Sequence, residues 1–177
     1  MLYLSYAIIL LLYVLLAYIC FINIIEGIIP VEAQLSMIGL FFIFCIVFQP
    51  GLSFIYNHVI VFASVLIILA FAFRLLKAFG AGALKLIACT TIWYGFSSNL
   101  LLFLIYMAIA GGFLIPFLWI IRKIIIYYYK DKDFTLCPAG LRQIVNHNIP
   151  YGIAITIGII LTINDTPPFL ILHKCLS

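Results

Sequence analysis

Charge is what this sequence has least of. Of 177 residues only 8% are Asp, Glu, Lys or Arg, against 68% hydrophobic, and the mean hydropathy is +1.36. A soluble domain is near half apolar and about a quarter charged, so no water-soluble fold of this length hides that much apolar surface. Closely spaced cysteines are missing too. Cys20, Cys45, Cys89, Cys137 and Cys175 lie far apart without a Cys-x-x-Cys, and three of them sit inside apolar runs; this argues against a zinc site or a disulfide framework. Nor does a basic stretch precede the first apolar run. A cleavable signal needs one, together with a shorter core, so residues 2–24 read as a retained first span. The net charge of +4 leaves no basic face, because the basic residues fall in loops between apolar runs. Nucleic acid is therefore not an expected partner.

What is present is a succession of apolar segments separated by turn signals. Spans are expected over Leu2–Ile24, Gln34–Phe48, Leu52–Phe73, Leu84–Phe96, Leu100–Ile121 and from Ile149-Pro150 to Ile163. Breaks fall at Glu26 to Glu32, at Gln49-Pro50-Gly51, at Arg74 to Gly82, at Ser97-Ser98-Asn99 and over a long loop after Ile121. The fourth span is short enough to be a re-entrant piece. The sequence thus predicts an all-α polytopic membrane bundle of about six spans, one domain over 1–164 with an irregular tail over 165–177. Within that tail, Phe169–Leu172 is apolar enough to rest on the membrane surface. Arg74, Lys77, Lys85, Arg122, Lys123, Lys130, Lys132 and Arg142 all fall on one side of this threading, and the loops on the other side hold none. The positive-inside rule places the basic side in the cytoplasm and both termini outside, Lys174 being the one exception.

Polar groups at membrane depth are costly and invite explanation. Asn23 lies in the last turn of the first span, where a helix-end asparagine is ordinarily satisfied by backbone or water. Gly80-Ala81-Gly82 suits a tight turn into a helix, with backbone open to close approach. His58 has no His, Cys or carboxylate three or four residues away, so a bond to a neighbouring helix is expected rather than a metal. Ala108, Ala110, Gly111 and Gly112 suit close helix approach, and Pro116 suits a kink. A transporter or channel subunit would place charges inside the spans, which apart from His58 offer almost none.

These pieces together resemble the prepilin peptidases, the membrane aspartic proteases of type IV and tight-adherence pilus systems. Gly80-Ala81-Gly82-Ala83-Leu84-Lys85-Leu86 is similar to that family's Gly-x-Gly-Asp-x-Lys-Leu motif. Trp93-Tyr94-Gly95 is similar to an aromatic-Gly step, and Ala110-Gly111-Gly112 to a small-residue patch in the next span. Ile149-Pro150-Tyr151-Gly152-Ile153-Ala154-Ile155 resembles the Ile-Pro-Tyr-Gly-x-Ala-Ile that opens the family's last span, and Ile29-Pro30 its first-loop Ile-Pro step. The resemblance covers roughly residues 1–160 and is to the small form without the methyltransferase portion. It implies an endopeptidase of the inner (cytoplasmic) membrane that trims a prepilin or pseudopilin leader at the cytoplasmic face, needs no cofactor, and works beside pilus or secretion assembly machinery. Pro30, Gly80, Gly82, Lys85, Pro150, Tyr151 and Gly152 would be its motif and substrate-proximal positions.

The two catalytic aspartates that the resemblance implies are not there. One should stand six residues before Ile29, where the chain has Asn23; the other should follow Gly82, where it has Ala83. The family's Pro-Asn is also changed, to Pro30-Val31. In an aspartic dyad two carboxylates share a proton, one activating water while the other polarises the carbonyl. Asn23 cannot take up that proton and Ala83 has no polar group. Each lost group removes about 10²- to 10⁴-fold of general acid–base help. Glu26 lies on roughly the same helical face as Asn23 but would lack a partner. The chain is expected to be inactive as written, either as a natural non-catalytic form retained for binding or assembly, or as a peptidase whose two aspartates have been replaced.

Overall fold

The computed structural model describes residues 2–76, 81–128 and 150–174. Every regular element among them is helical: α1 (Leu2–Glu26), α2 (Val31–Phe48), α3 (Leu52–Leu76), α4 (Ala81–Tyr94), α5 (Ser98–Tyr128), α6 (Tyr151–Thr162), a 3₁₀ turn (Ile163–Asp165) and α7 (Pro167–Lys174). Glycine or proline sets most of the boundaries. Gly27 at φ +68 carries the chain out of α1, and Pro30 at φ −65 leads it into α2. Gln49 ends α2 in the left-handed region at φ +44, with its N–H on the Cys45 carbonyl at 3.0 Å; Pro50 and Gly51 complete that turn. Gly95 ends α4 at φ +57.

Four helices, α1, α2, α3 and α5, are long and apolar enough to cross a bilayer. Much of their outer surface is large and apolar, as at Leu10, Phe21, Ile46, Ile67, Phe71, Phe113 and Phe117, each more than half exposed. Such a surface is at home in lipid, not in water. The remaining apolar helices are shorter, α4 with 14 residues and α6 with 12. At 1.5 Å per residue α4 rises about 21 Å, against a hydrocarbon core of about 30 Å. The protein is an all-helical membrane protein with four helices of spanning length among the described residues.

The short α4 is the centre of the bundle. All of Leu86–Tyr94 is buried, and the helix packs against α2, α3, α5, α6 and α7. Because protein rather than lipid surrounds it, its length need not match the bilayer. Trp93 and Tyr94 lie at the heart of the core with Phe41, Phe44, Phe103 and Phe169. Their polar atoms are satisfied: Trp93 Nε1 donates to the Met37 carbonyl at 3.2 Å, and the Tyr94 hydroxyl meets Thr162 Oγ1 at 2.7 Å. Thr162 Oγ1 gives its own proton to the Gly158 carbonyl, so Tyr94 is the donor.

Several sequence expectations are corrected. α2 begins at Val31 rather than Gln34, and α4 at Ala81 rather than Leu84, so Gly82 lies within the first turn of a helix and not in a loop. α5 continues to Tyr128, beyond the expected Ile121; Arg122 and Lys123 stand on a helix that the following isoleucines prolong. Pro116 sits inside that helix without ending it. The expected irregular tail is instead helical over Pro167–Lys174. Pro167 and Pro168 open α7, where the N–H groups they lack would be unpaired anyway, and Phe169 and Leu172 are fully buried rather than laid on a membrane surface. The Phe169 ring meets Trp93 edge-on at 6.1 Å. Of the small-residue patch in α5, Gly111 faces Ala154 on α6, while Gly112 faces open space. The tightest point of that seam is Gly158, where an added Cβ would stand 3.2 Å from both the Met107 Cβ and the Phe103 carbonyl.

Candidate functional site

Three segments singled out in the sequence meet at one end of the bundle: the end of α1 with the turn into α2, the start of α4, and the start of α6. Asn23 links the first to the third. Its Oδ1 accepts the Gly152 N–H at 2.9 Å, and its Nδ2 donates to the Ile28 carbonyl at 3.3 Å. Both ends of the amide are used, and the identities of its partners fix which end is oxygen. The side chain is only 3% exposed. Gly152 is required by this contact, since an added Cβ would lie 2.6 Å from Asn23 Oδ1.

Gln34 links the first segment to the second. Its Nε2 reaches the Ile29 and Gly82 carbonyls, each at 3.4 Å. Gly82 is approached at the same place by Ile29, whose Cβ would be 3.4 Å from a Cβ on the glycine. Ala83 is buried at 5% exposure and belongs to the main core cluster. Pro30 and Pro150 immediately precede α2 and α6, at φ −65 and −75. Tyr151 is half-buried on the first turn of α6. Lys85 points elsewhere: two residues beyond Ala83, it is turned about 200° around the helix and is exposed on the α3 side. Gly80 lies outside the described residues, as do Lys77 and the basic loop residues Lys130, Lys132 and Arg142.

No carboxylate is buried among the described residues here; Glu26 and Glu32, the two nearest along the chain, are exposed. No group of three His, Cys, Asp or Glu side chains with metal-binding geometry occurs among the described residues, and Cys20, Cys45 and Cys89 are free thiols. The site is a knot of amide and backbone groups. It can hold three helix ends in register, and its side chains offer no group that takes up a proton near neutral pH.

A second polar cluster fastens the far end of α4. His58 is 1% exposed, between Phe54 and Phe41 with ring centroids 4.1 and 5.4 Å away. Its Nδ1 lies 2.7 Å from the Ile92 carbonyl, so that nitrogen carries the proton and donates. Its neighbour Asn57 accepts the Phe96 N–H at 3.3 Å. The helix ends at Tyr94 and frees the Ile92 carbonyl, and consecutive side chains of α3 take up what the helix end leaves open. The bond from His58 to a neighbouring helix is as expected from the sequence. The roles of Gln34 and Asn57 were not anticipated. Gln34 carried a usable signal, as an uncharged amide at the head of an apolar run that needs partners at membrane depth.

Comparison of the chain with protein-family models, with curated proteins and with solved structures returns no match. The class of the molecule, an all-helical membrane bundle, rests on the fold itself, and the likeness to prepilin peptidases rests on the motifs alone.

Proposed function

We propose that this chain is a non-catalytic membrane protein on a prepilin-peptidase-like scaffold, which binds the apolar helix of a prepilin or pseudopilin beside α1, α4 and α6 and does not cut it. One observation carries this reading: the segments resembling the peptidase motifs come together through Asn23 and Gln34, and Asn23 is built into its place as an amide. A carboxylate at 23 would keep the Gly152 N–H as a donor but turn an oxygen toward the Ile28 carbonyl, whereas the amide satisfies both. Ala83, packed in the core, completes a site without acid.

In the same reading the chain threads the inner membrane about six times, with α4 as a short protein-surrounded span, α6 as a second short span that keeps one apolar face exposed, the Asn23 end in the cytoplasm and both termini outside. The basic residues Arg74, Lys85, Arg122 and Lys123 then share the cytoplasmic end. A pilus or secretion assembly would be the wider partner.

The test is capture of a full-length prepilin by the detergent-purified chain, with an unrelated single-span peptide as control and mass spectrometry of the bound prepilin. Retention of uncut prepilin above the control is expected. Equal retention of the control overturns binding, and leader removal overturns the non-catalytic assignment. If the Asn23→Asp, Ala83→Asp double variant cuts prepilin, the chain is a peptidase lacking its acids rather than a scaffold settled into a binding role.

A further inference from the structure

On the side of α4 turned away from Ala83, a groove of about 420 Å³ opens between α3 and α4. Leu66 and Leu69 on α3 and Leu84 and Ala88 on α4 form apolar walls, and Arg74 and Lys85 stand at one end. The arrangement follows from antiparallel packing. Along α3 the eight steps from Leu66 to Arg74 rise about 12 Å, and along α4 the chain runs back from Lys85 to Ala88, so both cations gather at one end and both walls run inward. Averaged over Ala81, Leu84, Lys85 and Ala88, the groove face of α4 is about 150° around the helix from Ala83. It is therefore a different surface from the one where Asn23, Gln34 and Gly82 meet.

Neither Arg74 nor Lys85 has an ion-pair or hydrogen-bond partner among the described residues, and both side chains are exposed. Two cations at the mouth of an apolar slot between membrane helices match a molecule with an anionic head and a hydrocarbon tail. Basic pockets between helices on one side of a membrane take anionic lipid headgroups, and the volume is within the range of small-molecule sites. We propose that this groove is a binding site for an anionic phospholipid, its phosphate between Arg74 and Lys85 and an acyl chain along Leu66, Leu69, Leu84 and Ala88.

Native mass spectrometry of the detergent-purified full chain tests this, with phosphatidylglycerol and phosphatidylcholine of identical chains titrated separately. The expected result is a preference of about 10-fold or more for phosphatidylglycerol. Arg74→Gln with Lys85→Gln should bring it within about twofold, and each single change should lower it partway. Ala70→Phe, which fills the groove from an exposed position on α3, should remove tight phosphatidylglycerol binding while leaving the melting temperature unchanged. Lys123→Gln, at an exposed lysine on α5 that does not line the groove, should leave the preference unchanged. The proposal is overturned if the unaltered chain shows no preference, if Lys123→Gln lowers it as much as the double change, or if Ala70→Phe leaves binding intact. It is equally overturned if free glycerol phosphate displaces the lipid at comparable concentration, which would make the site one for a soluble anion.

Discussion

Asn23 and Gly152 stand 129 residues apart in the chain and are joined by a buried 2.9 Å hydrogen bond from the glycine N–H to the asparagine oxygen. The contact leaves no room for a side chain on the glycine. Gly152→Ala should therefore drive the start of α6 off α1 and lower stability by about 1–3 kcal/mol. Asn23→Ala should cost about as much, because it strands the Gly152 N–H and the Ile28 carbonyl together. The double variant should cost clearly less than the sum of the two, since each change already breaks the same contact. Thermal unfolding in detergent measures all three.

At the opposite end of α4, Gly95→Ala meets two obstacles at once. The residue holds φ +57, a conformation costing non-glycine residues about 1 kcal/mol or more. Its new Cβ would also lie 2.8 Å from His58 Nε2. The expected loss exceeds that of His58→Gln, whose amide keeps a donor for the Ile92 carbonyl. Unfolding midpoints of the two variants should rank in that order.

Gly158→Ala should open the seam between α5 and α6. The added carbon would press on the Met107 Cβ and on backbone atoms, not on the end of a flexible side chain. Met107→Ala keeps those same atoms, so combining it with Gly158→Ala should not restore the melting temperature. Restoration would mean that the seam yields through side-chain movement.

Thiol labelling should follow burial. With Cys137 and Cys175 replaced by serine, a maleimide reagent should reach Cys20, which is half-buried, well before Cys45 and Cys89, each 6% exposed. The last two should label only as the protein unfolds, and mass spectrometry of the labelled peptides reports the order.

Truncation after Thr166 should be destabilising, contrary to the usual tolerance of chain ends. It removes Phe169 and Leu172, both fully buried, and burying a single large apolar side chain in a core is commonly worth about 3–5 kcal/mol. A melting temperature within a degree or two of the full chain would show that α7 contributes little.

How much of this was legible beforehand varies by kind of signal. The breaks at Gly27 to Pro30 and at Gln49 to Gly51 were readable, because backbone punctuation is local and carried by glycine and proline; the fourth span was expected to run to Phe96, whereas α4 ends at Tyr94 with Gly95 in the left-handed region. The close approach at Gly82 and the helix-to-helix bond of His58 also followed, one from a missing Cβ and the other from the rarity of an imidazole in an apolar run. Hydropathy could not distinguish a helix that touches lipid from one enclosed by other helices, so α4 read as a short span or a re-entrant piece rather than as the buried centre of the bundle. The paired prolines at 167 and 168 suggested an irregular tail, although at the first turn of a helix they are well placed. Gln34 and Asn57 escaped notice because their partners, Gly82 and Phe96, are brought to them only by the fold.

The fastening of α4 has a consequence for how the molecule is made. Gln34 holds the start of α4, and Asn57 and His58 hold its end; all three belong to helices that leave the ribosome before α4 does. Thr162 and Phe169, which close over Tyr94 and Trp93, emerge afterwards. A helix too short to be comfortable alone in lipid thus arrives at a berth already laid out by α2 and α3 and is covered last. The order of translation matches the order in which its polar ends find partners.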